Sequence, residues 1–241
     1  AITPQQAARE LLTRRRARAS LIDFAQAIEI PGAPVSEDQD GWLFRPVESG
    51  VSAHHVLMMR AIERTMSTPM GRLMIFMPPG SAKSTYAGVV APAWYMGKYP
   101  RSKIIMASYG TDLARKHGRK TRQIVRSKRY ESIFGSTISK EVSAAVEWQT
   151  TNNSEYMAGG LQSGLTGNRA NGIIIDDPIR GRKDADSEVV RSSTKSAYDD
   201  DLKTRLSPDG WIILIQTRWH EDDLAGQILP EKYNGESGKI M

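Results

Sequence analysis

The stretch Leu73-Met74-Ile75-Phe76-Met77-Pro78-Pro79-Gly80-Ser81-Ala82-Lys83-Ser84-Thr85 decides the fold. Its first five residues are all apolar, which suits a short strand buried on both faces of a parallel sheet. Pro78, Pro79 and Gly80 end the strand in a tight turn, and Lys83-Ser84-Thr85 opens a helix. Such a strand, turn and helix start place backbone N–H groups around a phosphate. The lysine adds a positive charge, and the Ser84 hydroxyl can ligate a divalent cation. Pro79, Gly80, Ser81, Ala82, Lys83, Ser84 and Thr85 therefore form the candidate phosphate cradle. The pattern G-x-x-x-x-G-K-[ST] is only partly met, because Met77 and Ala82 stand at its glycine positions. An alanine at positive φ costs about 1–2 kcal/mol, so either the turn avoids that conformation or Gly80 supplies the freedom. Alone, the segment also reads as a capped strand-to-helix turn with an exposed lysine.

A second motif decides between these readings. Ile173-Ile174-Ile175-Asp176-Asp177 is an apolar strand ending in two acids, a Walker B arrangement. Neighbouring side chains on a strand point opposite ways, but the chain can turn at a strand end. Asp176 can then face Mg2+, and Asp177 can reach an attacking water. A third strand, Ile213-Leu214-Ile215, delivers Gln216 and Thr217 to the carboxyl edge of the sheet, beside the phosphate loop, where ligands of such folds sit. There an amide or hydroxyl can contact a γ-phosphate or the attacking water; the plainer reading is a polar strand end that caps the helix Glu221–Ile228. Arginines from a neighbouring subunit often neutralise charge in phosphoryl transfer. Arg169 is the first candidate for that role, and Arg218 the second, with a structural salt bridge as the alternative for Arg218.

Outward from these motifs, elements alternate. His54–Met66 reads as a helix, Ser84–Tyr99 as a helix disturbed by Pro92, Lys103–Ala107 as a buried strand and Thr111–Lys128 as a basic helix. Gly159, Gly160, Gly164, Gly167 and Gly172 mark a mobile loop; strands Gly172–Ile175 and Trp211–Ile215 follow, with a polar helix between them. This alternation predicts a doubly wound α/β fold, mostly parallel, with helices on both faces. Residues 1–50 read as a small N-terminal helical appendage, and 51–241 as the main domain. Thr3-Pro4-Gln5-Gln6 opens the first helix as a capping box. Pro31-Gly32-Ala33-Pro34 breaks the helical stretch, and Glu37–Asp40 reads as an exposed loop.

Of 241 residues, 39% are hydrophobic and 25% charged, enough apolar material for a real core. Lys plus Arg outnumber Asp plus Glu by 33 to 27, a net +6 that fits a polyanionic partner. Arg115, Lys116, Arg119, Lys120, Arg122 and Arg126 form a basic helix face, either solvated or set against DNA phosphates or a neighbour. With no cysteine, disulfides and thiolate metal sites are excluded. His54, His55, His117 and His220 lack metal-ligand spacing, so no zinc site is expected. No apolar run approaches the ~20 residues that span a bilayer, and no membrane partner is expected.

With these motifs in hand, the sequence resembles the ATPase domain of the large terminase subunit, the DNA-packaging motor of tailed phages. The resemblance runs from about His54 to about Leu229. It is carried by Met77–Thr85, Ala93-Trp94-Tyr95, Ala107-Ser108-Tyr109 with Leu113-Ala114-Arg115, and Gly164-Leu165-Thr166-Gly167. Ile174-Ile175-Asp176-Asp177-Pro178 and Gln216-Thr217-Arg218-Trp219-His220 with Asp223-Leu224-Ala225-Gly226 complete it. It implies a P-loop NTPase fold of the RecA/ASCE type. The implied activity is ATP hydrolysis with Mg2+, coupled to moving double-stranded DNA into a procapsid in the host cytoplasm. The implied partners are a portal protein, a small terminase subunit and further copies in a homo-oligomeric ring. Asp177 would be the catalytic acid, where many such motors have glutamate, and Arg169 the arginine reaching a neighbour's nucleotide. Many relatives carry arginine and histidine where this chain has Gly80 and Ser81, so no arginine acts from within the loop. The family also implies a C-terminal RNase H-like nuclease; none is expected within residues 1–241, and no DNA cleavage by them. The rival readings are another oligomeric P-loop ATPase or helicase, and a nucleotide-binding module without turnover.

Overall fold

The computed structural model describes residues 3–35, 44–47, 50–144, 146–163, 165 and 169–229, and the backbone of 232–233 and 236–237. Helices α1 (Pro4–Ala19) and α2 (Leu21–Ala27) come first, then the paired strands β1 (Pro31–Pro34) and β2 (Phe44–Pro46) and helix α3 (Ala53–Ser67). Strand β3 (Arg72–Phe76) leads into a π-helical segment, Thr85–Val90, and α4 (Ala91–Lys98). Next are β4 (Lys103–Ser108), α5 (Thr111–Arg126), α6 (Lys128–Phe134), β5 (Ile138–Ser143), β6 (Glu147–Thr150) and β7 (Glu155–Gly160). Then come β8 (Ala170–Asp176), α7 (Arg182–Ala185), α8 (Glu188–Ser196), a second π-helical segment Ala197–Leu202, β9 (Leu206–Gln216) and α9 (Leu224–Ile228). A small pair, β10 (Lys232–Tyr233) and β11 (Glu236–Ser237), follows.

One seven-stranded sheet organises the chain, in the order β3-β9-β8-β4-β7-β6-β5. The pairs from β3 to β7 are parallel, and β6 and β5 add an antiparallel hairpin at the far edge. Alternation along each strand divides the apolar residues between two faces. Ile174, Ile213 and Ile215 enter the core beneath α1 to α6, whereas Ile173, Ile175, Ile212 and Leu214 enter the core shared with Tyr198, Leu202 and Leu224. Helices therefore cover both faces, as the sequence predicts. Among the described residues, no helix is long and apolar enough to cross a membrane.

The predicted capping box opens α1: Gln6 N–H donates to Thr3 Oγ1 at 3.2 Å, and Thr3 N–H to Gln6 Oε1 at 2.9 Å. Ala17, Leu21 and Phe24 are fully buried in the first core. Phe24 meets Tyr130 edge-on, and Trp94 Nε1 donates to the Ala17 carbonyl at 3.1 Å. The first two helices thus share the core of the main sheet. The helix-breaking Pro31–Pro34 segment pairs with Phe44–Pro46 as a small strand. The loop expected at Glu37–Asp40 lies outside the described residues.

Two further expectations change. The helix after the phosphate loop begins as a π-segment, in which Ala91 N–H donates to the Tyr86 carbonyl. Pro92, which has no N–H to continue an α ladder, sits in the first turn of α4. The glycine-rich stretch is not one loop, since Gly159 and Gly160 end β7 and Gly172 lies within β8. These three glycines answer close approach: a Cβ on Gly172 would lie 2.1 Å from the Trp211 ring, and one on Gly160 3.1 Å from Thr111 N. Gly164 and Gly167 lie outside the described residues.

Candidate active site

Strand β3 delivers the phosphate loop to the carboxyl edge of the sheet, and the loop does not avoid the left-handed region. Gly80 has φ +81°, and Ala82 has φ +58°. Ala82 therefore carries the strain of about 1–2 kcal/mol that glycine would escape. Ser81 closes the turn through its hydroxyl, which donates to the Pro78 carbonyl at 2.7 Å. Lys83 is buried, and its Nζ donates to Thr217 Oγ1 at 3.2 Å. Ser84 Oγ donates to Asp176 Oδ1 at 3.0 Å. The helix opens at Lys83 and Ser84 and continues as the π-segment from Thr85, with Tyr86 N–H donating to the Ala82 carbonyl at 3.1 Å, so the N–H groups of Lys83–Thr85 precede the first helical bond.

Strand β9 lies between β3 and β8, so Thr217 stands between the lysine and the acids. Asp177 also adopts positive φ, +45°. Its N–H donates to the Ile215 carbonyl at 2.9 Å, and its carbonyl accepts from Tyr109 N–H at 3.0 Å. Thr217 N–H donates to Asp177 Oδ1 at 3.3 Å. Of the five described non-glycine residues at positive φ, two, Ala82 and Asp177, lie in this site and three, Met70, Arg101 and Asn153, lie elsewhere. Burial pushes the Asp177 carboxyl above the usual carboxylate range, and Asp176 pushes it further; Lys83, the Thr217 N–H and His117 pull it back. Gln216 is 3% exposed, and its Nε2 has no hydrogen-bond partner. It lines a small cleft with Asp177, Ile179 and Trp219.

Asp176 is 1% exposed, and its contacts are the Ser84 hydroxyl and the His117 imidazole. A buried carboxylate beside a hydroxyl oxygen is the hard, all-oxygen donor set that suits Mg2+. Ser84 and Asp176 fit that ion.

Lys83, Ser84, Asp176, Asp177, Gln216 and Thr217 thus converge. Arg169 does not join them: it is exposed at the amino end of β8, and the strand's whole length, roughly 20 Å at about 3.3 Å per residue, separates it from Asp176. Arg218 is committed to structure. Its Nε donates to Asp223 Oδ2 at 2.7 Å, and Asp223 caps α9 by accepting from Gly226 N–H at 3.1 Å. On the basic face of α5, Lys116 and Arg126 are exposed and the other four cations are partly buried. Lys120 lies over the Phe44 ring, and Arg122 donates to the Ala144 carbonyl.

Sequence reasoning missed two histidines. His55 Nδ1 accepts from Ser52 N–H at 3.1 Å, so its Nε2 carries the proton and donates to the Ser81 carbonyl of the phosphate loop at 3.2 Å. The signal was the spacing Ser52-x-x-His55 at a helix start. His117 Nε2 lies 2.9 Å from Asp176 Oδ2. Its signal was position: it shares a buried stripe of α5 with Ala114, Gly118, Thr121, Ile124 and Val125.

A strand bearing the phosphate loop, separated by one strand from the strand bearing the acid pair, defines the additional-strand (ASCE) class of P-loop NTPase folds. Residues 74–239 match the family described as terminase large subunit, T4likevirus-type, N-terminal. The match spans well over half of the chain, and the chain belongs to that family. Among solved structures, it is similar to the large terminase of a thermophilic bacteriophage in complex with ATP-gamma-S. That match has 13% identity and a TM-score of 0.44, and covers 66% of this chain and 36% of the phage protein's chain. It is also similar to the large terminase ATPase domain of Thermus phage P74-26, with 18% identity, 70% of each chain covered and a TM-score of 0.44. No curated protein matches the chain.

Proposed function

We propose that this chain is the ATP-hydrolysing motor part of a large terminase, which drives double-stranded DNA into a procapsid. The observation that carries the reading is the convergence of Lys83, Ser84, Asp176, Asp177 and Thr217 at one edge of the sheet, from three adjacent strands. On this reading, the backbone N–H groups of Gly80–Thr85, set by the turn at Pro79, cradle the triphosphate, and Lys83 exchanges Thr217 for phosphate oxygens. Ser84 and Asp176 would hold Mg2+, which would neutralise phosphate charge. Asp177 accepts a proton from the attacking water through Oδ2, because Oδ1 is occupied by Thr217 N–H. The water oxygen bonds to the γ-phosphorus, the bond to the β-phosphate oxygen breaks, and ADP and inorganic phosphate leave. The raised Asp177 carboxyl makes a better base than an ordinary aspartate. Gln216, with a free amide N–H beside Asp177, orients that water together with Thr217.

Arg169 completes the site of an adjacent copy in a homo-oligomeric ring. Its exposure and its distance from this chain's own loop favour action in trans. The ring docks on a portal protein and receives DNA from the small terminase subunit in the host cytoplasm. Residues 1–50 extend the motor domain 51–241, with the first two helices packed into its core, and a nuclease domain follows in the full-length protein.

Steady-state ATPase of wild type and Lys83→Ala, with and without duplex DNA, tests this reading. Mg2+-dependent turnover, raised by DNA and lost in the variant, is expected; no turnover in an assembled ring with DNA present would leave only a nucleotide-binding module. Strand separation in place of duplex movement would make it a helicase. Mixing Arg169→Ala with Asp177→Ala subunits should partly restore hydrolysis. No recovery despite proven association would rule out the trans arginine.

A further inference from the structure

The proposed chemistry does not use His117, although its side chain is buried, at 8% exposure. It sits on the inward stripe of α5, where an apolar residue would complete the packing of Ala114, Ile124 and Val125. Neither ring nitrogen meets hydrogen-bond geometry with any partner. An unsatisfied buried polar group costs about 1–3 kcal/mol, so packing alone gives no reason for an imidazole here.

Its surroundings supply one. Nε2 lies 2.9 Å from Asp176 Oδ2, within donor–acceptor distance of a carboxylate that is 1% exposed. Gly88, in the π-segment after the phosphate loop, lies beside both groups: a Cβ there would lie 3.8 Å from His117 Nδ1 and 3.9 Å from Asp176 Oδ2. The two Asp176 oxygens are therefore divided. Oδ1 takes the Ser84 hydroxyl, and Oδ2 takes the imidazole. With both occupied from different elements, the carboxylate cannot turn without losing one contact.

We propose that His117 is a positioning residue for Asp176, holding Oδ2 so that Oδ1 stays beside Ser84 Oγ for a divalent cation bound with nucleotide. The inference rests on the reading of Ser84 and Asp176 as the cation-holding pair. Outer groups that orient a ligating side chain typically change metal affinity 10–100-fold when removed.

The test is binding of a fluorescent ATP analogue, in EDTA and through a Mg2+ titration, to the full chain and its variants, with melting curves alongside. Wild type should bind more tightly as Mg2+ is added. His117→Ala should need about 10–100-fold more Mg2+ for the same tightening, with its affinity in EDTA unchanged. His117→Gln, whose side-chain amide reaches about as far as Nε2 and can donate to Oδ2, should recover most of the Mg2+ response. Two results overturn the inference while leaving the site's reading intact: a wild-type Mg2+ response in folded His117→Ala, or equal loss of binding with and without Mg2+ in both variants. A wild type that binds nucleotide without any Mg2+ response overturns the Ser84–Asp176 reading itself.

Discussion

The substitution Gly172→Ala probes the seam that carries the site. Gly172 on β8 is the register partner of Trp211 on β9. A Cβ at 172 would lie 2.1 Å from Trp211 Cζ2, 2.3 Å from Cε2 and 2.4 Å from Cη2. The indole is 1% exposed and meets Tyr95 edge-on at 5.1 Å, so it has little room to swing away. Overpacking a close-packed core costs about 1–3 kcal/mol, and a rigid ring against a backbone-anchored methyl falls in the upper half of that range. Alanine recovers about 0.5–1 kcal/mol over glycine in a strand interior. The net loss is about 2 kcal/mol, which lowers Tm by about 4–8 °C for a chain of this size. The same displacement parts β8 from β9, whose carboxyl ends carry Asp176 and Gln216, so ATPase activity should fall as well. Thermal melting of Gly172→Ala, Trp211→Leu and the double variant checks the reasoning. Shrinking the indole should absorb the new methyl, so the double variant should melt no lower than Trp211→Leu alone. An unchanged Tm in Gly172→Ala, or the same loss in the Trp211→Leu background, would refute it.

Asp177→Asn should abolish hydrolysis yet raise Tm at pH 7–8. A carboxyl raised above its ordinary 3.8 stabilises the fold fully below that pH and loses the contribution as pH rises through the folded value, so the charged form is a burden at neutral pH. A lower Tm for the variant at pH 7 would contradict this. Burial lowers His55 below its ordinary 6.5; the Ser81 carbonyl opposes this and His54 assists it. Its contribution is therefore complete above about pH 6.5 and lost as pH falls through the lower folded value. Melting between pH 7.5 and 5.5 should fall more steeply in wild type than in His55→Gln, and parallel curves would sink the assignment. Ala82→Gly should relieve about 1–2 kcal/mol of backbone strain against about 0.4–1 kcal/mol of added unfolded-state freedom. A small rise in Tm is expected, and a fall would show that Ala82 is not strained.

The strands that carry the chemistry were legible because each is an apolar run that ends abruptly, β3 in a Pro-Pro-Gly turn and β8 and β9 in polar residues that a folded core would not otherwise demand, although β3 lies at the sheet edge and leaves Phe76 exposed. Leu73–Met77, Ile173–Ile175 and Ile213–Ile215 announced themselves in this way, and the placement of Gln216 and Thr217 beside the loop followed. The hairpin β5–β6 gave no such signal, since an edge pair such as Glu147–Thr150 is half polar and is defined by its neighbour β7. Glycines were misread for a different reason. Gly172 looks the same in sequence whether it supplies freedom or makes room, and only Trp211 on another strand distinguishes the two. His117 was hidden because its partner Asp176 belongs to a distant strand. The basic run on α5 looked like a surface because charge was read without the long apolar stems of Lys and Arg, which lie against the fold.

The position of β9 explains why the site works as one unit. Were β3 and β8 direct neighbours, Lys83 and Asp177 would face each other with nothing between them. With β9 inserted, Thr217 meets both: its hydroxyl accepts from Lys83, and its backbone N–H donates to Asp177. These two bonds use different parts of one residue, so a phosphate that draws Lys83 away releases the hydroxyl and leaves the hold on Asp177 intact. Just beyond Thr217, Arg218 ties the chain to Asp223, the cap of α9. On the proposed reading, Thr217 therefore links the lysine's partner exchange to a backbone that stays fixed, and the hold on Asp177 survives nucleotide binding.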